Sequence, residues 1–152
     1  MTTVGVGLVG YGFGNQAFHG PLIRETDGLK VRAVVTANPE RRQQALDHFP
    51  DVKIYEQYDE LLADPRIDLV VISTPHSTHA PLAIQACEKG KHVVVDKIMA
   101  LSVAEGEAMI KAAELAGVLL SVFHNRRWDS DFLTVKNALK KGLLGEPYVI
   151  ES

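Results

Sequence analysis

Val4-Gly5-Val6-Gly7-Leu8-Val9-Gly10-Tyr11-Gly12-Phe13-Gly14-Asn15-Gln16-Ala17-Phe18 is an apolar run, a glycine-rich turn and a helix start in direct succession. A buried strand that ends in glycines and feeds a helix is the arrangement with which α/β folds hold a dinucleotide pyrophosphate. Glycines let the backbone approach the phosphates, and the helix N-terminus supplies free N–H groups and the positive end of a dipole. Gly10, Gly12, Phe13, Gly14 and Asn15 are therefore candidate cofactor-binding residues, with Asn15 at the usual third glycine position and Gly14 one residue early. A purely structural turn is the other reading of the same residues.

The pattern continues outward from this turn. Strands are predicted near Val4–Val9, Val31–Val35, Lys53–Tyr55, Leu69–Ser73, His92–Val95, Leu119–Phe123 and Tyr148–Glu151. Helices are predicted at Asn15–Thr26, Pro39–His48, Tyr58–Asp64, Pro81–Lys89, Val103–Ala116 and Asp131–Lys141, the first interrupted at Gly20-Pro21 because proline lacks a donor. Short apolar strands alternating with helices indicate an α/β fold with a doubly wound parallel sheet. Asn38 before Pro39 and Ser102 before Val103 read as helix starts, and Gly90, Gly117 and Gly142 follow helix ends.

Composition narrows the class. The 152 residues fit one domain, which buries roughly 70% of the surface its unfolded chain exposes. A net charge of −3 gives no electrostatic reason to expect nucleic acid or an anionic membrane as partner. The single Cys87, mid-helix among alanines, reads as a small core residue and fits a reducing cytosol. With no apolar run near the roughly 20 residues of a membrane span and no secretory signal pattern, the expected location is cytoplasmic.

In an open parallel sheet, ligands bind outside the carboxyl ends of the strands. Five strand ends here carry unusual residues: Gly10–Gly14, Thr36-Ala37-Asn38, Thr74-Pro75-His76, Asp96-Lys97 and His124-Asn125-Arg126-Arg127-Trp128. At the second, Thr36 stands where an acid would hold the ribose hydroxyls of NAD, and Arg41 and Arg42 follow in the next helical turn. A carboxylate there would oppose a 2′-phosphate by roughly 4 kcal/mol at 4 Å and an effective dielectric of 20. Its absence, with two cations beside Asn38, favours NADP over NAD, which is the alternative. Solvated arginines balanced by Glu40 are the alternative.

Lys97 is the catalytic candidate. Buried at a strand end beside a nicotinamide, a lysine could orient a substrate hydroxyl or share its proton; a structural pair with Asp96 is the competing reading. Thr74, Pro75, His76 and His79 would shape the turn beside the cofactor. The i,i+3 spacing of His76 and His79, without cysteine or carboxylate partners, is a poor metal site, so no metal is expected. Asn125, Arg127 and Trp128 suit a sugar-like substrate, while Trp128 reads equally as a core anchor.

Taken together, these residues resemble the N-terminal Rossmann domain of the Gfo/Idh/MocA oxidoreductases. Gly10-Tyr11-Gly12, Asn38-Pro39-Glu40-Arg41, Ser73-Thr74-Pro75, Gly90-Lys91-His92-Val93 and Asp96-Lys97-Ile98 carry the likeness. The run Ser121 to Phe132, with Phe18-His19 and Pro21-Leu22 after the loop, resembles the NADP-dependent scyllo-inositol dehydrogenase-like branch. The resemblance implies hydride transfer at a sugar or cyclitol carbon, with Lys97 matching the lysine of the family's Glu-Lys-Pro motif. Ile98 stands where that motif has proline.

The resemblance also implies a C-terminal α/β substrate domain, absent from this chain, that supplies an acid/base histidine and the interface of a homo-oligomeric parent. Residues 1–124 would then be the dinucleotide-binding domain, and 125–152 a connecting helix and first strand leading toward the missing domain. Such a piece would bind cofactor without efficient turnover. A stand-alone, non-catalytic dinucleotide-binding or redox-sensing module, or an NAD-dependent inositol dehydrogenase-like parent, are the alternatives.

Overall fold

A computed structural model describes residues 3–149 and 151. Six strands form one parallel sheet: β1 (Val4–Val9), β2 (Leu29–Val35), β3 (Lys53–Tyr55), β4 (Leu69–Ile72), β5 (His92–Asp96) and β6 (Leu120–Phe123). Their spatial order is β3-β2-β1-β4-β5-β6, so the winding reverses between β1 and β4. Alternation along the strands sends residues to two separate cores, as a sheet covered on both faces requires. Val6, Leu8, Val34 and Val71 pack on the face covered by α1 (Gly20–Arg24) and α2 (Pro39–His48). Val9, Val70, Ile72, Val93 and Val95 pack on the face of α3 (Tyr58–Ala63), α4 (His79–Glu88) and α5 (Val103–Ala116). Cys87 is fully buried in this second core, where burial pushes its thiol pKa up.

Helix boundaries follow local chemistry. Asn38 Oδ1 accepts the Arg41 N–H at 3.0 Å and starts α2 at Pro39, while Ser102 Oγ accepts the Glu105 N–H at 3.2 Å and starts α5. Gly90, Gly117 and Gly142 take left-handed conformations after helix ends. Most other boundaries fall within two residues of the sequence-based ones.

Two expectations are corrected. The helix after the loop is not interrupted at Gly20-Pro21: a π-helical segment, Asn15–His19, runs into α1. Gly20 stays helical at φ −58°, and its N–H bonds Asn15 O. Pro21 is the second residue of α1, directly after the π turn. Of the strand expected over Tyr148–Glu151, Tyr148, Val149 and Glu151 lie outside any strand, and Ile150 falls outside the described residues, as do Met1, Thr2 and Ser152. The described sheet has its edge at β6. Beyond it comes α6 (Ser130–Lys140), which has no buried residue.

Asp64, buried after α3, locks the turn into β4. It accepts the Tyr55 hydroxyl at 3.0 Å, the Arg66 N–H at 2.9 Å and Arg66 Nη2 at 2.7 Å. The hydrogen bonds from Arg66 hold its carboxyl well below the usual carboxylate range, against the opposing effect of burial. A depressed folded-state pKa stabilises the fold above the unfolded carboxylate pKa of about 4 and loses that contribution as pH falls toward the folded value. Asp64→Asn should therefore cost about 2 kcal/mol at pH 7, and the gap from wild type should narrow below about pH 4. Urea denaturation of both proteins at pH 7 and pH 3 checks this; an undiminished gap at pH 3 would refute it.

Candidate active site at the strand ends

The glycine loop lies at the carboxyl edge, beside the switch point between β1 and β4. Gly10 has φ +77°, donates its N–H to Val35 O at 3.0 Å, and comes so near β4 that a Cβ would sit 2.8 Å from Ser73 O. Tyr11 is fully buried beneath the loop, its hydroxyl 2.8 Å from His48 Nδ1. Gly14 is required by a different neighbour: a Cβ there would collide with Ser73 Oγ and lie 3.0 Å from Asp96 Oδ2. Phe13 projects into solvent, edge-on to Phe18 with centroids 5.6 Å apart.

Asn15 plays a different part from the one expected. It has no exposed surface, and its Nδ2 donates to Gly10 O at 2.7 Å and Val9 O at 3.3 Å. It therefore ties the two ends of the loop together from inside, while its Oδ1 is buried without a partner.

The β2 end separates the two arginines. Arg42 is spent on structure: Nε donates to Thr36 O at 3.1 Å, Nη2 to Ala37 O at 3.2 Å, and Nη1 pairs with Glu56 at 2.7 Å. Thr36 is buried, its Oγ1 accepting the Asn38 N–H. Arg41 instead lies over the glycine loop, its guanidinium 3.9 Å from a Cβ placed on Gly12. Among the described residues its guanidinium has no ion-pair or hydrogen-bond partner.

Around the switch point, β4 and β5 meet through side chains. Ser73 Oγ donates to Asp96 Oδ2 at 3.2 Å, and Asp96 Oδ1 accepts the Lys97 backbone N–H at 2.8 Å. Lys97 itself is exposed rather than buried, and its ammonium does not pair with Asp96, so the structural-pair reading fails. The Lys97–Ile98 peptide is cis. His79 is buried between two carbonyls, with Nδ1 2.7 Å from Ile98 O and Nε2 3.0 Å from Thr74 O. Thr74, Pro75 and Thr78 form a hydrogen-bonded turn at the same edge, and the His76 and His79 rings lie 5.4 Å apart. No group of three potential metal-binding side chains occurs among the described residues.

Two adjoining cavities are shared by these elements. One, of about 360 Å³, is lined by Phe13, Gly14, Phe18, Ser73, Asp96, Lys97, Phe123 and Asn125, among others. The second, of about 440 Å³, is lined by Lys97, His124, Asn125, Arg126 and Arg127. Lys97, Asn125 and Arg126 border both. Asn125 Oδ1 is buried without a partner, a donor-seeking atom in the cleft wall. Trp128 lines neither cavity and is 77% exposed, so it is not a core anchor. A further cavity of about 470 Å³ opens elsewhere, between Arg24, Lys30, His48 and Asp51, and no predicted site residue lines it.

Sequence reasoning gave no site role to Ser73, Phe18, Phe123, Arg126 or, above all, His19. His19 is 4% exposed, its ring centroid 4.2 Å from that of Phe123 and its Nε2 3.6 Å from Asp96 Oδ2. Burial lowers its pKa, with Asp96 acting in the opposite direction. The four-residue spacing of Asn15 and His19 was a readable signal, since it places two polar side chains on one helix face.

The half-exposed Gly12 backbone and the close approach at Gly14 fit an extended dinucleotide lying along this edge. Comparison with known proteins points the same way. The chain is 47% identical over 147 residues to the uncharacterized oxidoreductase YdgJ of Escherichia coli, covering 97% of this chain and 42% of that one. It is 40% identical over 144 residues to the scyllo-inositol 2-dehydrogenase (NADP(+)) IolW of Bacillus subtilis, covering 95% and 39%. The WlbA dehydrogenase of Bordetella pertussis, solved with NADH and UDP-GlcNAcA, superposes with a TM-score of 0.81 at 30% identity, covering 95% of this chain and 42% of that one. The chain thus spans about 40% of the length of these curated relatives. Residues 4–124 match the model of the Gfo/Idh/MocA oxidoreductases, described as an oxidoreductase family with an NAD-binding Rossmann fold, and the chain belongs to that family.

Proposed function

We propose that this chain is the cofactor domain of an NADP-dependent oxidoreductase that moves a hydride between nicotinamide and a sugar or cyclitol carbon. The observation that carries this reading is the position of Lys97, which borders both cavities beside the glycine loop and keeps its ammonium free. A bound nicotinamide supplies the hydride exchange. Lys97 holds the reacting hydroxyl and takes or returns its proton, as a positioned amine does in general acid–base catalysis. Asn125 and Arg127 orient further hydroxyls, and Phe13 and Phe18 give the cleft an apolar wall. IolW, an NADP enzyme by name, supports the substrate class.

The domain reading follows. Residues 1–124 bind the dinucleotide, and 125–152 lead toward a C-terminal substrate domain that supplies further catalytic groups and joins copies into a homo-oligomer. The unburied α6, with Phe132, Leu133 and Val135 40–48% exposed, supports a role outside the Rossmann core.

Arg41 carries the preference for NADP, and Arg42 shapes the loop that presents it. Arg41→Ala should weaken NADPH binding about tenfold, equivalent to about 1.4 kcal/mol, and leave NADH within about twofold. Titration of the chain with both cofactors, followed by nicotinamide fluorescence, reads this directly. Equal losses for the two cofactors would remove the 2′-phosphate role. An NAD-dependent parent is the second reading, favoured by WlbA having been solved with NADH; tighter NADH than NADPH binding by the unaltered chain would establish it.

A further inference from the structure

The π-helical segment brings His19 to a place where three strand ends meet. Its ring lies tilted against Phe123 at the end of β6, and its Nε2 faces Asp96 at the end of β5. Asp96 in turn binds Ser73, just beyond β4. Single π turns inside helices often mark functional positions, because they redirect one side chain without ending the helix. The redirected side chain here is a histidine with a buried, unpartnered nitrogen, and such a group calls for an explanation.

We infer that His19 is a positioning residue for Lys97, acting through Asp96. The two carboxylate oxygens of Asp96 serve different partners. Oδ1 receives the Lys97 backbone N–H, while Oδ2 faces both Ser73 Oγ and His19 Nε2. Turning the carboxylate would release the Lys97 amide. At 3.6 Å, His19 is within ion-pair distance and just beyond a hydrogen bond, so a small ring movement closes the contact. Protonated, it sets a positive charge and an N–H against Asp96 Oδ2; neutral, it loses that charge, and the pull on the carboxylate weakens. Asp96 is the charged group that faces its ring, while Lys97, His76 and Arg126 line the adjoining cavity. His19 lies on the helix that begins at the glycine loop, so cofactor contacts on that loop are coupled to the aim of Lys97.

This inference deepens the proposed function, because the aim of Lys97 matters for turnover only if Lys97 acts there. Its test needs neither cofactor nor substrate. In the ¹⁵N-labelled chain, the His19 ring and the Lys97 backbone amide are followed by NMR from pH 4 to pH 9. The Lys97 amide should shift with the same midpoint as the His19 ring. Asp96→Asn should move the ring midpoint down by about one pH unit, since it removes the charge that favours imidazolium. His19→Phe retains an aromatic ring against Phe123 and should abolish the inflection at Lys97. If that variant does not fold, Asp96→Asn decides. An inert Lys97 amide, or a ring midpoint unmoved by Asp96→Asn, overturns the inference and leaves the dinucleotide reading untouched. Failure to bind either cofactor would instead count against that reading and leave the His19–Asp96 coupling standing.

Discussion

Replacing Gly10 with alanine should destabilise the chain by about 3 kcal/mol and remove measurable nucleotide binding. Two costs combine at this position. The backbone sits at φ +77°, where a side chain strains the conformation by about 1–2 kcal/mol. The new Cβ would also lie 2.8 Å from Ser73 O, a backbone atom that cannot rotate away. Relief would require the β4 end to move, and the Ser73 N–H holds that end to Val9 O at 3.2 Å. Overpacking of this kind typically costs about 1–3 kcal/mol. Gly12 is the internal control, because a Cβ there meets Arg41 only at 3.9 Å, an ordinary contact. Urea denaturation of Gly10→Ala and Gly12→Ala, with cofactor titration of each, separates the two positions. Equal stability losses would show that the loop tolerates no side chain for reasons other than those given.

Lys97→Ala should lower turnover of the enzyme that contains this domain by about 10³-fold, in the range expected when a general acid–base group is removed. Cofactor affinity should stay within about twofold and stability within about 0.5 kcal/mol, because the exposed ammonium supports neither the core nor an ion pair. The backbone amide that Asp96 holds survives the substitution. Steady-state kinetics on the full-length enzyme, with direct cofactor titration, tests all three statements. A variant retaining a tenth of the activity would end the catalytic assignment of Lys97.

Much of the fold was legible because this sheet is buried on both faces. The strands of a doubly covered sheet read as short, continuous apolar runs, and the caps Asn38 and Ser102 carry their own chemistry. The helix through Gly20-Pro21 was misread because an i,i+5 hydrogen bond leaves no mark in composition or period. Of the site, the strand-end positions were readable, since topology brings them to one edge. Their division of labour was not. Arg41 and Arg42 are equivalent in sequence, and only the placement of Glu56 and the carbonyls of Thr36 and Ala37 decides which one is tied down. Asn15 occupies a glycine's place in the motif but turns inward, and its spacing from His19 marks a shared helix face without showing that His19 meets Asp96.

The sequestered Cys87 makes the protein a ready scaffold for optical labelling. The chain contains no other cysteine, and this one is fully enclosed between α4 and the sheet, out of reach of a maleimide dye. A cysteine introduced at Phe13, which is 76% exposed at the mouth of the loop, would take a fluorophore selectively without any native thiol first being removed. With the dinucleotide bound at the loop as proposed, a dye at that place would register ligands that have no fluorescence of their own.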